Sequence, residues 1–181
     1  MLYTPDERDT VHEETDIPAP VPGAPLPSIL ATEERLLLSY YSEIRSSGAS
    51  SKKPVLVNEG FTGTVVIVDF RSPAAFFSVP LSNETLEAHP LAYRGLLSYR
   101  VFRVESSSLI RRLIAAQYVH PRPFPGAYDS SKHYIFTFHD SVFEAVANGV
   151  SVRTFPGSIR DAQNEMLELI RAKYEPPRGA R

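Results

Sequence analysis

The decapeptide FTFHDSVFEA, residues 136–145, packs His139, Asp140, Ser141 and Glu144 into six positions. These are the residue types of acid–base, nucleophilic and metal chemistry. Spacing decides which of them can act together. A Ser141–His139–Asp140 triad is excluded, because adjacent residues of a strand point to opposite faces and no glycine-flanked elbow carries the serine. A metal shared by His133 and His139 is excluded as well. Six residues of strand span roughly 20 Å, whereas ligand bonds are about 2 Å long. No metal site and no cofactor are therefore expected, and no glycine-rich phosphate loop is present.

The polar residues of this stretch need a register to position them. Asn148-Gly149 is a strong hairpin signal, since a type I′ turn requires positive φ at its central positions. Asp140-Ser141 offers a weaker turn. Together they predict a three-stranded meander over 133–155, with Thr137 opposite Glu144 and Glu144 opposite Arg153. One face then collects Tyr134, Phe136, Phe138, Phe143, Ala145, Ala147, Val150 and Val152. That face must be core. The other face collects Ile135, Thr137, His139, Glu144, Val146, Ser151, Arg153 and Phe155. Thr137, Glu144 and Arg153 become candidate binding residues, with the Arg153 guanidinium as the anchor for an anionic group.

A second stretch, SNETLEAHPLAYRGL (82–96), carries Asn83, His89, Tyr93 and Arg94. Pro90 and Gly95 stop any long helix there, so it reads as a structured loop over the sheet. Loops held by a scaffold carry much recognition. Asn83 and Arg94 join the candidate binding residues. His139 and His89 are the acid–base candidates if the protein is an enzyme, because histidine alone titrates near neutral pH unperturbed.

Around these segments the chain reads as follows. Residues 1–28 hold six carboxylates, one arginine and six prolines, which predicts a disordered acidic arm. ATEERLLLSYYSEIRSS (31–47) has Leu37, Tyr40, Tyr41 and Ile44 at helical spacing behind Thr32 as N-cap, and predicts a first helix. Val65–Val68 predicts a strand covered on both faces. AAFFSV and SYRVFRV predict two more strands. SSSLIRRLIAAQYV predicts a second helix capped by a serine among 106–108. Ser158 and Asp161 open a third in a capping-box arrangement. Residues 176–181 read as a flexible tail.

The expected fold is α+β: a mostly antiparallel sheet with about three helices on one face, forming one domain over 29–175. The 181 residues suffice for a core, and 43% hydrophobic with 22% charged residues is ordinary for a soluble protein. Cysteine is absent, which removes disulfides and thiolate chemistry. The net charge of −2 is uneven, about −5 over residues 1–28 and near +3 over the rest, but that small surplus forms no basic stripe, so no nucleic-acid partner is expected. No apolar run reaches the 18–20 residues of a membrane span, and the start lacks a secretory pattern. A cytoplasmic location is expected.

The HPLAYRGL loop, YRVFRVESSSLIRRL and the FHDSVFE hairpin together resemble a pattern of small uncharacterised bacterial proteins, over roughly residues 62–150. That resemblance implies no activity. It implies only that the loop and the hairpin share a domain. The sequence thus favours a non-enzymatic binding or interaction module, with a protein or small-molecule ligand. The alternative is a small enzyme acting on a small molecule through His139 or His89.

Overall fold

The computed structural model describes residues 3–23, 27–42 and 63–174. In chain order the elements are β1 (Thr10–Glu13), β2 (Ser28–Ala31), β3 (Leu36–Ser42), β4 (Gly63–Arg71), β5 (Ala75–Val79), β6 (Val101–Glu105), α1 (Ser108–Gln117), β7 (Lys132–Thr137), β8 (Val142–Ala147), β9 (Gly149–Gly157) and α2 (Ile159–Tyr174). Short 3₁₀ turns at Leu86–Ala88 and Ala92–Arg94 lie between β5 and β6. The strands form two antiparallel sheets, ordered β1-β6-β7-β8-β5 and β2-β3-β4-β9.

The sheets pack face to face. Leu36, Leu38, Tyr40, Val66, Val68 and Phe70 of the four-stranded sheet meet Val101, Tyr134, Phe136, Phe143, Ala145 and Ala147 of the five-stranded one. Aromatic edges fill this layer: Phe70 lies 5.9 Å from Phe136 and 5.8 Å from Phe143, centroid to centroid. The outer face of the four-stranded sheet is covered by α2, through Ala162 and Met166 against Leu37, Tyr41, Val65 and Ile67. The outer face of the five-stranded sheet is covered by α1 and the 81–96 segment, through Leu109, Leu86, Leu91 and Leu96. Helices therefore flank both outer faces, not one. No helix among the described residues is long and apolar enough to cross a membrane.

Three expectations change. The helix expected over 31–47 is strand β3 as far as Ser42; residues 43–47 lie outside the described part. All seven residues of β3 are buried, because both faces are covered. A continuous apolar run has no period of its own, so it suits a doubly buried strand as well as a helix. The structure thus has two α-helices among the described residues. The Ser158–Asp161 cap forms as expected, with the Ser158 hydroxyl 2.7 Å from Asp161 Oδ2.

The acidic, proline-rich segment is also ordered in its described residues, where a disordered arm is the sequence expectation. Thr10–Glu13 pairs with β6, and Tyr3, Asp9 and Ile17 are buried. Pro18 and Pro20 run beside the end of β3, where Pro20 bridges Ser42. Proline has no N–H but keeps its carbonyl. Pro18 O accepts from Tyr40 Oη at 2.7 Å, and Ala19 O from Ser42 Oγ at 2.8 Å. The tail at 176–181 lies outside the described residues.

The meander is corrected too. β8 pairs with β7 and β5, whereas β9 pairs with β4 in the other sheet. Asn148-Gly149 is therefore a crossing between sheets, not a hairpin turn. Gly149 has φ 152°, and an added Cβ would run into the Arg71 guanidinium. The β7–β8 turn holds four residues, Phe138–Ser141, so Thr137 faces Val142 and Ile135 faces Glu144. This register lies two residues from the expected one. A shift of two keeps every side chain on its face, and the aromatic core face is as expected.

Phe143→Ala removes a fully buried ring from the layer between the sheets. It is expected to cost about 3–5 kcal/mol. The check is urea unfolding, with a lower midpoint and an unchanged slope.

Candidate functional site

On the outer face of the five-stranded sheet sits a buried carboxylate. Glu144 is 1% exposed, lies in β8 and points under the layer made by α1, the 81–96 segment and the N-terminal residues. A carboxylate in such a place must be paired and hydrogen-bonded. Glu144 Oε1 lies 2.8 Å from His89 Nε2. Its Oε2 accepts from Tyr3 Oη at 2.8 Å and lies 2.7 Å from His133 Nε2.

Both histidines are held from behind as well. His89 Nδ1 accepts the Leu91 backbone N–H at 3.1 Å. That acceptor role fixes His89 as the neutral tautomer with hydrogen on Nε2, pointing at Glu144. His133 Nδ1 lies 2.9 Å from Ser107 Oγ. Ser107 is the N-cap of α1, and its Oγ accepts from Ile110 N–H at 3.3 Å. The result is a continuous chain, Glu144–His133–Ser107, running from the buried carboxylate to the start of a helix.

Burial pushes the Glu144 carboxyl up, but the hydrogen bonds from His133 and His89 outweigh it and bring it down to about 2. It is a carboxylate at neutral pH. Burial and the adjacent Glu144 charge hold the Tyr3 hydroxyl protonated far above its ordinary range.

The N-terminal segment closes this site. Tyr3 packs edge-on to His133 at 5.7 Å. Asp9, 1% exposed, accepts the Ser108 N–H at 2.5 Å. Arg111 of α1 bonds Asp6 at 2.5 Å and lies 3.9 Å from Asp9. Arg94 donates to the carbonyls of Glu7 and Asp9, each at 3.2 Å.

Beside the start of α1 opens a cleft of about 640 Å³. Its walls include Arg8, Arg103, Arg111 and Lys132, against the carboxylates Glu105 and Asp129. Ser106, Ser107 and Ser131 also line it. Ser107 thus belongs both to the cleft wall and to the chain that ends on Glu144. Arg103 also holds a buried Nε with no acceptor among the described residues.

The residues singled out from sequence divide. His89 and Glu144 come together, inside the domain rather than in a surface loop and a solvated face. Arg153 does not join them. It sits in the other sheet, on the face under α2, where it pairs with Glu165 at 3.2 Å. The Glu144–Arg153 pair is replaced by the Glu144–histidine cluster, because β8 and β9 belong to different sheets. Thr137 is buried and ties down the approach to β6, donating to Leu97 O at 2.7 Å and accepting Arg100 N–H at 2.9 Å. His139 lies apart, at the β7–β8 turn, where its Nδ1 is 2.8 Å from Tyr99 Oη. Asn83 bonds that same turn through its backbone, N–H to His139 O at 2.8 Å. Arg94 binds the N-terminal segment. Among the described residues no group of histidine and carboxylate side chains is arranged to hold a metal ion.

Sequence reasoning missed Tyr3, Asp9, Ser107 and His133. One signal was present. In the true register Ile135 faces Glu144, so His133 is the diagonal neighbour of Glu144 on the same face, within reach of a long side chain. The two-residue turn placed His133 too far away. Tyr3 and Asp9 had no signal once their segment read as disordered.

Glu144→Gln leaves an amide where three donors converge, so its NH₂ meets an N–H or O–H. It is expected to destabilise by about 3–5 kcal/mol, as when one partner of a buried pair is removed. The folded carboxyl titrates below its ordinary value of 4.5. The stability it contributes is whole above that pH and is lost as pH falls toward 2. Acid unfolding followed by circular dichroism checks this, and in Glu144→Gln the loss over that window should shrink. Arg153→Ala, removing an exposed pair, is expected to stay within about 1 kcal/mol in urea unfolding.

No family model matches the chain, and neither a curated protein nor a solved structure matches it, so the resemblance carried by residues 62–150 gains no support from these comparisons.

Proposed function

We propose that the protein is a binding module whose ligand is a small molecule carrying an anionic group, taken up in the cleft beside α1. The observation that carries this reading is the cleft wall itself. Arg8, Arg103, Arg111 and Lys132 line it together with two carboxylates and three serines, and the volume suits a small molecule. Guanidinium and ammonium groups with hydroxyls are the donors that recognise phosphate, sulfate and carboxylate. The cleft replaces the contact surface that the sequence suggested between the 82–96 loop and Arg153.

A hydrolytic reading has one observation in its favour, the Glu144–His133–Ser107 wiring. A triad needs the hydroxyl open to a substrate carbonyl and donors for the oxyanion. Ser107 Oγ is occupied by Ile110 N–H, Ser107 is 3% exposed, and the Ser108 N–H is taken by Asp9. A carboxylate beside a developing oxyanion opposes it. Binding is therefore the better use of this arrangement.

The test is titration with sodium sulfate against sodium chloride at matched ionic strength, followed by amide chemical shifts. Saturable shifts at residues 105–111 and 129–132 are expected with sulfate alone. Lys132→Ala, an exposed side chain on the cleft wall, is expected to weaken sulfate about fivefold, the effect of losing about 1 kcal/mol. Equal, unsaturable responses to both salts would overturn the reading. Covalent labelling of Ser107 by a fluorophosphonate would replace it with the hydrolytic one.

A further inference from the structure

We infer that the ligand of the cleft is an aryl anion, whose ring is seated in a second, apolar groove beside the cleft along α1. This rests on the anion-binding reading above and names the class of ligand.

The groove lies between the end of α1 and the loop that follows it. Ile114, Tyr118, Pro123, Phe124, Pro125 and Tyr128 supply its apolar walls. Ile114, Tyr128 and Asp129 line the cleft as well, so the two hollows are neighbours. Their linings differ in kind. The cleft carries Arg8, Arg103, Arg111 and Lys132. No cationic side chain lines the groove, and its one carboxylate is Asp129, at the junction. An anionic group is attracted to the first and repelled from the second, whereas apolar surface gains by leaving water in the second. A ligand with both parts has one favoured orientation.

Size and walls select a ring for the apolar part. An apolar cavity of about 150 Å³ accepts one benzene molecule. The groove measures about 120 Å³, which suits a single ring and not a long chain. Tyr118 and Phe124 are 67% and 71% exposed, and Phe124 is the most exposed phenylalanine among the described residues. A flat ring between such side chains makes offset or edge contacts with them and takes their surface from water.

The loop is also held in shape. Pro121, Pro123 and Pro125 have φ fixed by their own rings. Turn bonds run from Ala127 N–H to Phe124 O at 3.2 Å, from Asp129 N–H to Gly126 O at 3.1 Å and from Ser131 N–H to Tyr128 O at 2.9 Å. Gln117, the last residue of α1, donates from Nε2 to Tyr128 Oη at 3.2 Å. The groove is formed before a ligand arrives, so little ordering opposes binding.

The experiment titrates the whole chain with phenyl sulfate, cyclohexyl sulfate and methyl sulfate at matched ionic strength, followed by amide chemical shifts. All three carry one negative charge on the same head group. Methyl sulfate is expected to shift residues 105–111 and 129–132. Phenyl sulfate is expected to shift these and residues 117–127, and to bind about tenfold more tightly. Cyclohexyl sulfate should fall between them. Phe124→Ala alters an exposed side chain, and should lower phenyl sulfate to the affinity of methyl sulfate while leaving methyl sulfate unchanged. Equal affinities for the phenyl and methyl esters, or no response at 117–127, would overturn the inference and leave the anion reading standing. So would undiminished phenyl sulfate binding in Phe124→Ala. Cyclohexyl sulfate binding as tightly as phenyl sulfate would overturn the choice of an aryl group. Silence at 105–111 and 129–132 toward inorganic sulfate itself would overturn the underlying reading and this one with it.

Discussion

A carboxylate removed from water is the constraint around which the outer layer of this protein is arranged. Glu144 accepts from or faces three side chains that come from three separate parts of the chain. Leaving such a charge unpaired costs several kcal/mol, so the donors must all be present. Tyr3 brings in the N-terminal segment, His89 the 81–96 segment, and His133 the neighbouring strand. Through His133 the chain of bonds reaches Ser107 and the start of α1. One buried charge thereby ties four segments to the same spot on the sheet.

This arrangement is possible because the polar cluster and the main hydrophobic layer lie on opposite faces of one sheet. Between the two sheets the described core residues are aromatic and aliphatic. On the outer face, short irregular segments cover the strands. Such segments supply backbone donors at fixed angles, as the Leu91 N–H does for His89. A helix alone would leave few of these. Mixed covering of 3₁₀ turns, helix and N-terminal chain suits a site that needs side chains from several directions.

The cleft and the buried cluster meet at Ser107, and this gives the helix cap a second role. A serine N-cap ordinarily serves only the backbone of its helix. Here its oxygen accepts from Ile110 N–H while its other side faces an imidazole backed by a carboxylate. Arg111, one turn into the same helix, reaches the acidic residues of the N-terminal segment. The β6–α1 turn is therefore where the sheet, the N-terminal segment and the cleft are joined, and Ser106 carries it at φ 51°.

The sequence by itself determined what is local or periodic. Alternation placed Phe136, Phe138, Phe143, Ala145 and Ala147 on one face, because a strand's period of two survives a register shift of two. It placed the serine cap of α1 and the Ser158–Asp161 cap, because caps are made within a few residues of chain. Only the tertiary structure decided the rest. Leu36–Ser42 is a strand because layers on both sides bury it, and a seamless apolar run holds no record of that. Asn148-Gly149 turns the chain from one sheet to the other, since the backbone freedom that suits a hairpin suits a crossing equally. Tyr3, His89, His133 and Glu144 are up to 141 positions apart. Their meeting depends on which strands are neighbours and which segments cover them, and that is a property of the packed chain, not of any stretch of it.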